Sequence, residues 1–450
     1  MPPDLASLRA AAQDLAAQPL QTTVDPLVGY CQRWLRPDDP LRPEAVQVLQ
    51  ATTGLSEPMI HWGLETTFGA WVGRTGDEAA AIRALVAADL GASVRLGVWG
   101  PGFRPNTQER WVPAGVVVQI LAGNVFAATV HQLLAGLLAR TAQVLKPASG
   151  EAPFLELLRR TLSQVDPALA ATVAIVPFTA NRADAPLRTA LYQAADVITV
   201  TGSDATIVAV RGEVAGLGLD PAPAIHGFGH RLSAAYVAAY HLEAADRRSA
   251  VWRGLAVDTC AYDQSGCLSP QVAFLEDVLP TELPSLAQEC FAALQGQTTE
   301  WPVGERGNGY GAARRSFLDR VRMEGGTVVD DGAVAVAVQT GDRIIPGPGG
   351  RVLALAPLAF PQGALERLEP FRGHLGTLGV ALHPAVPLAK WRQSTGLFPK
   401  PAAGAENSTG FNRICPIGRM QTPAIAEPHD GRPRLRLFLR KEQRPTPGLP

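Results

Sequence analysis

The chain predicts an α/β protein built on open, mostly parallel sheets with helices on both faces. Two observations carry this. From residue 112 to about 230, short β-branched runs alternate with helix-length amphipathic segments, the order that strand-helix-strand units require. The first run, Val116-Val117-Val118-Gln119-Ile120-Leu121, lacks the alternation of a half-solvated strand and so reads as a strand buried on both faces, as parallel strands are. At 450 residues the chain predicts two or three domains, because single cores stop growing near about 250–300 residues.

The elements follow in order. Residues 1 to about 110 alternate alanine- and leucine-rich helical segments with proline-bearing loops such as Arg36 to Pro43, with no long strand. The strand from Val116 precedes a buried helix near 126 to 139, a short strand Gln143-Val144-Leu145 and a helix from Ala152 to Ser163. Thr172 to Val176 is a strand, 183 to 194 a helix, and Val197 to Val200 a strand. Ala234 to Val237 resumes the pattern, followed by a helix carrying Asp246 to Ala256, a cysteine-bearing run, a long helix near 280 to 294, and strands at 327 to 338 and 352 to 356. The tail, Leu435 to Arg440, alternates with period two, as an edge or inter-subunit strand does.

Hydrophobic residues make up 46% of the chain, charged residues 18%, and the formal net charge is −1, a balance that advertises neither a nucleic-acid nor an anionic-membrane partner. The N-terminal residues lack the basic-then-apolar order of a signal peptide. From Trp111 to Ala139 there is no charged residue, a length that spans a bilayer, yet Pro113, Gln119, Gly123, Asn124, His131 and Gln132 interrupt it and the period changes midway. A strand-loop-helix unit of a soluble protein accounts for it better. Five cysteines without paired spacing predict reduced thiols and a cytoplasmic setting. His226 and His230 stand four apart, but Gly227 and Gly229 argue against a helix that would align them, and no metal site is expected.

The run Asp258-Thr-Cys-Ala-Tyr-Asp-Gln-Ser-Gly-Cys267-Leu-Ser-Pro-Gln271 carries the sharpest chemical signal. Gly266 allows close backbone approach, and Ser269 with Pro270 suits a helix start, whose N-terminus would lower the pKa of Cys267. The residues allow two readings, an activated nucleophile or a buried small hydrophobe. Three loops after predicted strands offer further groups. Asn124, in Leu121-Ala-Gly-Asn-Val125, is an oxyanion donor or a turn residue. Lys146, in Leu145-Lys-Pro-Ala-Ser149, is a ribose or phosphate ligand or a surface charge, with Ser149 placed to cap the next helix. Thr201-Gly202-Ser203 forms a strand-to-helix turn suited to phosphate or an ordinary cap. Neither a Gly-x-Gly-x-x-Gly fingerprint nor a Walker motif occurs.

Taken in order, the strand ending in Gly123-Asn124, the Leu145-Lys-Pro-Ala-Ser149 run, the Thr201-Gly-Ser203 turn and Cys267 resemble the aldehyde dehydrogenase superfamily over most of residues 110 to 425. Asp263 to Pro270 and Asn412-Arg-Ile-Cys-Pro-Ile-Gly-Arg-Met420 look most like its acyl-CoA reductase branch, which includes the fatty acyl reductases of bacterial luminescence. The resemblance implies an aldehyde-dehydrogenase-like fold: a helical region at 1–110 packed on a dinucleotide-binding domain at 111–231, a catalytic cysteine domain at 232–425, and a C-terminal strand and tail at 426–450. It implies Cys267 as nucleophile, Asn124 with the Cys267 backbone N–H as oxyanion hole, Lys146 and Ser149 along the adenosine ribose, and Thr201, Gly202 and Ser203 near the pyrophosphate.

Two departures stand out. Where hydrolytic relatives carry a glutamate base in Glu-Leu-Gly-Gly, this chain has His226-Gly-Phe-Gly229, and where they carry Glu-x-Phe-Gly-Pro it has Ile345-Pro-Gly-Pro-Gly349. Hydrolysing an enzyme thioester needs activated water, whereas exchanging it with a thiol does not, so the missing glutamate favours acyl transfer to or from a thiol, with His226 either a base or proton donor or a histidine packed beside the site. The expectation is NADPH-dependent reduction of an acyl thioester, acyl-CoA or an acyl-carrier thioester, to an aldehyde through acyl-Cys267. NADH remains possible and a homo-oligomer is allowed. The alternatives are an NAD(P)-dependent aldehyde dehydrogenase using His226 to activate water, and a non-catalytic scaffold of the same fold.

Overall fold

The computed structural model describes residues 3–91, 109–305, 310–398 and 410–443. The parts of the expected helical region at 92–108 and of the tail beyond 443 lie outside the described residues. The chain forms two compact units, one from residues 1–52, 62–229 and 424–450, the other from 53–61 and 230–423.

In the first unit, strands β1 (Glu109–Pro113), β2 (Val116–Ile120), β3 (Ala142–Lys146), β4 (Val173–Ile175), β5 (Val197–Thr201) and β6 (Ala224–Phe228) follow one another, and the last five form one sheet in the order β4-β3-β2-β5-β6. Every neighbouring pair in it is parallel. Chain winding outward in both directions from β2 puts the switch point of the sheet at the C-terminal ends of β2 and β5, where ligands of such sheets bind. Strand β2 is buried along its whole length, which explains its unbroken apolar run, and its one polar side chain, Gln119, donates to Gln143 of β3 at 2.6 Å. The helix Phe126–Leu138 starts where the sequence predicts it, and among the described residues no helix is long and apolar enough to cross a membrane.

Helices Leu5–Ala16 and Gln21–Leu35 open the chain, and Asp4 caps the first by accepting the Ala6 and Ser7 N–H groups. Aromatic rings bind this helical region to the unit: Trp34 stacks on Phe68 at 4.9 Å, meets Phe154 edge-on, and the Tyr30 hydroxyl donates to the Leu158 carbonyl at 3.0 Å. Such contacts add about 0.5–1.5 kcal/mol per pair beyond the area they bury.

The second unit holds β7 (Leu232–Val237), β8 (Pro270–Glu276), β9 (Val328–Asp330), β10 (Ala335–Val338), β11 (Val352–Leu358), β12 (Leu375–Ala381) and β13 (Arg413–Pro416), in the order β13-β12-β7-β8-β11-β10-β9. All pairs are parallel except β9 with β10. The stretch expected as strand from 327 to 338 holds two short antiparallel strands joined by a turn. Helices Ala245–Cys260 and Leu283–Glu300 pack beside each other, pinned by Glu289, which accepts from Arg248 and from the Trp252 indole at 3.1 Å.

The tail departs from expectation at its start. Leu435–Phe438 is a 3-10 turn, and strand β14 (Leu439–Gln443) follows it and pairs antiparallel with β1 of the same chain. Asp89 is the cause: its buried carboxylate accepts the Leu435 N–H and its carbonyl accepts from Arg436, which holds the chain in a turn where period two alone predicts a strand.

Candidate active site

Cys267 lies in the second unit, in a turn that leads into β8 and is closed by the Ser269 N–H donating to the Gly266 carbonyl at 3.1 Å. Ser269 and Pro270 do not begin a helix. Pro270 opens a buried strand, because Val272, Phe274 and their neighbours pair with β7 and β11, so the helix start expected after Cys267 is not there to act on the thiol. Cys267 is nevertheless exposed, while Cys31, Cys260, Cys290 and Cys415 are buried. Burial pushes the Cys31 and Cys290 thiols far up, so neither supplies a thiolate near neutrality.

The turn is tethered from two sides. Ser233, at the start of β7, donates to the Cys267 carbonyl at 2.6 Å and accepts the Thr377 N–H at 2.9 Å. Gly376 makes room, since a Cβ there would lie 2.8 Å from the Ser233 hydroxyl. On the other side, Tyr262, Asp263 and Gln264 form a left-handed run with φ of 52°, 51° and 60°, a conformation costing about 1–2 kcal/mol per residue. It persists because its side chains are fixed. Gln264 donates to the carbonyls of Pro270 and Val352 at 2.7 and 2.9 Å and accepts the Val352 N–H at 2.7 Å. Asp263 pairs with the fully buried Arg351 at 2.6 Å and accepts the Gly304 N–H at 3.0 Å. Arg351 also donates to Thr298 and to the Trp301 carbonyl, which satisfies most of its guanidinium.

These tethers went unassigned in the sequence. A usable signal existed: Gly349-Gly350-Arg351 places a cation immediately before an apolar strand, and an arginine there needs a buried acid.

The remaining candidates lie in the first unit. Asn124 is exposed in the loop after β2, and Gly123 beside it lies so close to the loop after β3 that a Cβ would sit 2.8 Å from Ala148 Cβ. Lys146 ends β3, half-buried, with its ammonium 5.9 Å from the Phe178 ring centroid and its pKa lowered by burial. Ser149 is exposed. Glu151 turns into the unit's interior, where it accepts from Thr129 at 2.6 Å and from the Ala148 N–H at 3.4 Å, and burial raises its pKa. Thr201 ends β5 and accepts from Gln132 at 2.7 Å. Ser203 caps the helix Asp204–Gly216 by accepting the Thr206 N–H, and the Gly202 N–H donates to the Phe228 carbonyl.

Asn124, Lys146, Ser149 and Thr201 to Ser203 thus gather at the C-terminal edge of the five-stranded sheet. His226 is placed differently, half-buried within β6 and paired with Thr199 of β5. Gly227 and Gly229 are there for packing: Cβ atoms at these positions would lie 2.7 Å from Ile207 and 2.0 Å from Asp204.

Two open, mostly parallel sheets with a tethered, exposed cysteine turn define an aldehyde-dehydrogenase-like protein, and solved structures share the architecture. A NAD-dependent benzaldehyde dehydrogenase from Corynebacterium glutamicum matches 97% of this chain and 88% of its own at 13% identity and a TM-score of 0.67. Aldehyde dehydrogenase 21 from Physcomitrella patens matches 97% and 88% at 13% identity and a TM-score of 0.69. The model of the acyl-CoA reductase (LuxC) family matches residues 15–441, and the chain belongs to that family. A long-chain acyl-protein thioester reductase of Aliivibrio fischeri is 28% identical over 273 residues, 60% of this chain and 53% of that protein, so the chain spans about half the length of that curated relative.

Proposed function

We propose that this protein reduces an acyl thioester, acyl-CoA or an acyl chain on a carrier protein, to an aldehyde with NADPH. The observation that carries this reading is Cys267: an exposed thiol on a turn whose backbone is fixed by Ser233 and Gln264, in a chain whose four other cysteines are buried. A nucleophile must be both reachable and oriented. The absence of a carboxylate from His226-Gly-Phe-Gly229 supports thiol exchange over hydrolysis.

In this reading the Cys267 thiolate attacks the thioester carbonyl, Asn124 and the Cys267 amide bear the oxyanion, and collapse breaks the bond to the leaving thiol, which takes up a proton. When bound, a reduced nicotinamide supplies hydride to the acyl carbon. The resulting thiohemiacetal oxyanion collapses, freeing aldehyde and returning Cys267 to the thiolate. His226 stands half-buried within β6 and is assigned no water-activating step.

The residues present fit a dinucleotide unevenly. The touching loops at Gly123 and Ala148 and the half-buried cation Lys146 suit a ribose at the ends of β2 and β3. At the end of β5 the helix start carries Asp204, whose carboxylate opposes a phosphate, although it packs against Gly229. Ser149 is neutral and Glu151 faces Thr129, which favours a 2′-phosphate over its exclusion. None of the five cysteines forms a disulfide, which supports a reducing, cytoplasmic setting.

The test is turnover of NADPH with a panel of acyl-CoAs, in which absorbance loss should match aldehyde and free thiol formed. Cys267→Ala should abolish turnover and iodoacetamide labelling at that position while the fold persists. Oxidation of aldehyde to free acid without coenzyme A, lost on His226→Ala, would overturn the proposal.

A further inference from the structure

The run Asn412 to Met420 has no part in the chemistry assigned to Cys267, yet its turn is locked onto the end of the helix that precedes the cysteine. Asp258, fully buried in the last turn of Ala245–Cys260, accepts the N–H groups of Gly418 and Met420 at 2.6 and 2.9 Å. Arg413 closes the turn from its carbonyl side, donating to Met420 at 2.9 Å and Arg419 at 3.2 Å. Helix and turn meet backbone to backbone: a Cβ at Gly254 would lie 2.9 Å from Ile417 and 3.3 Å from the Gly418 nitrogen, and Gly418 itself has φ of +86°.

One side chain carries this locked turn onward. Gln421 is buried, and its amide donates to the Asp258 carbonyl at 3.0 Å and to the Ser269 hydroxyl at 3.0 Å. The first contact satisfies a helix-end carbonyl that has no partner one turn on. The second reaches the turn that presents Cys267, because Ser269 is the residue whose N–H closes that turn on Gly266. Both Gln421 and Ser269 are more than nine-tenths buried, so water does not readily replace the bond.

We propose that Gln421 is a positioning residue for Cys267: through Ser269 it fixes the Gly266-to-Ser269 turn relative to the end of the Ala245–Cys260 helix, and the Arg413-to-Met420 run exists to hold Gln421 in place. The inference rests on Cys267 being the nucleophile. A displacement of about 1 Å in a reacting group costs on the order of 100-fold in rate, which is the scale on which one lost tether registers.

The experiment compares Gln421→Ala, Ser269→Ala, the double variant and Ser269→Thr in the full chain. Three quantities are measured: the rate of iodoacetamide alkylation at Cys267 by peptide mapping, kcat and KM with a saturated acyl-CoA, and the thermal midpoint. Both alanine variants should lower kcat about 10- to 100-fold with KM little changed, and should shift the alkylation rate. The double variant should be no worse than the poorer single, because both remove the same bond, and Ser269→Thr, which keeps the hydroxyl, should recover most of the rate. Where Gln421→Ala does not fold, Gln421→Asn, too short to reach both acceptors, takes its place. Unchanged alkylation and kcat in folded variants, multiplying losses in the double variant, or no recovery in Ser269→Thr would each overturn the proposal. Failure of the nucleophile assignment reads out separately, as turnover retained by Cys267→Ala.

Discussion

Cys267 and Asn124 are both exposed, as a side chain that meets substrate must be. For the cysteine this decides reactivity, since the desolvated thiols at Cys31 and Cys290 resist ionisation. For the asparagine it separates two roles. If Asn124 bears the oxyanion, Asn124→Ala lowers kcat by roughly 10²- to 10³-fold with little change in KM or thermal midpoint. A turn asparagine instead loses stability while kcat per folded molecule holds. At this scale the sequence was informative about which side chains could do chemistry, because Gly266-Cys267 and Gly123-Asn124 are local signals. It was uninformative about what holds them. Ser233 and Gln264 reach the cysteine turn through contacts that no spacing rule anticipates, the latter bonding Val352 across 88 positions.

The cysteine loop and the loop after β3 depend on buried ions in opposite ways. In the first, three consecutive left-handed residues without a glycine have no local preference for that conformation, so the expectation of a helix start at Ser269 had nothing to correct it. The Asp263–Arg351 pair imposes the geometry from outside. Asp263→Ala leaves Arg351 charged, fully buried and without its acid, and should cost about 3–5 kcal/mol, measured as a fall in the urea midpoint. Equal stability of the variant would mean that Thr298 and the Trp301 carbonyl suffice for the guanidinium. In the loop after β3, the one carboxylate close in sequence, Glu151, is hydrogen-bonded to Thr129 and the Ala148 N–H while its charge still acts on Lys146, and in the proposed reading Lys146 and the neutral Ser149 are the groups that meet a ribose. NADPH should therefore be used at least as well as NADH. Ser149→Glu should shift the ratio of kcat/KM toward NADH, and Lys146→Ala should weaken NADPH the more of the two. A strong NADH preference in the unmodified protein would remove Ser149 from the ribose.

Across the whole molecule the alternation of strand and helix was legible because parallel sheets demand it, and strands β2, β3, β5, β7 and β11 lie within a few residues of their expected places. Strand order was not legible, nor was the return of residues 424–450 to the first unit, because hydrophobic period reports which face is buried and never against what. The same long-range burial sets how stability responds to pH. Burial pushes Asp258 up to about 7 against the opposing pull of the Gly418 and Met420 N–H groups and Arg413, and it raises Glu151 and Asp89 as well. A carboxyl raised in the fold binds its proton more tightly there than in the unfolded chain. Its contribution to stability is therefore fully present below its unfolded value of about 4 and is lost as pH rises through about 7. His131, held well below its ordinary value by burial, acts in the opposite sense, adding stability above about 6.5 that is lost as pH falls. The two slopes overlap, so the unmodified protein alone does not separate them. Asp258→Asn removes one slope and leaves the other. Its stability, measured by urea unfolding at several pH values, starts lower because an amide accepts only one of the two N–H bonds, and the gap to the unmodified protein should narrow between pH 5 and 8 by at most about 1.4 kcal/mol per pH unit. A gap that stays constant or widens over that range would show that the two N–H donors and Arg413 outweigh burial and keep Asp258 ionised throughout.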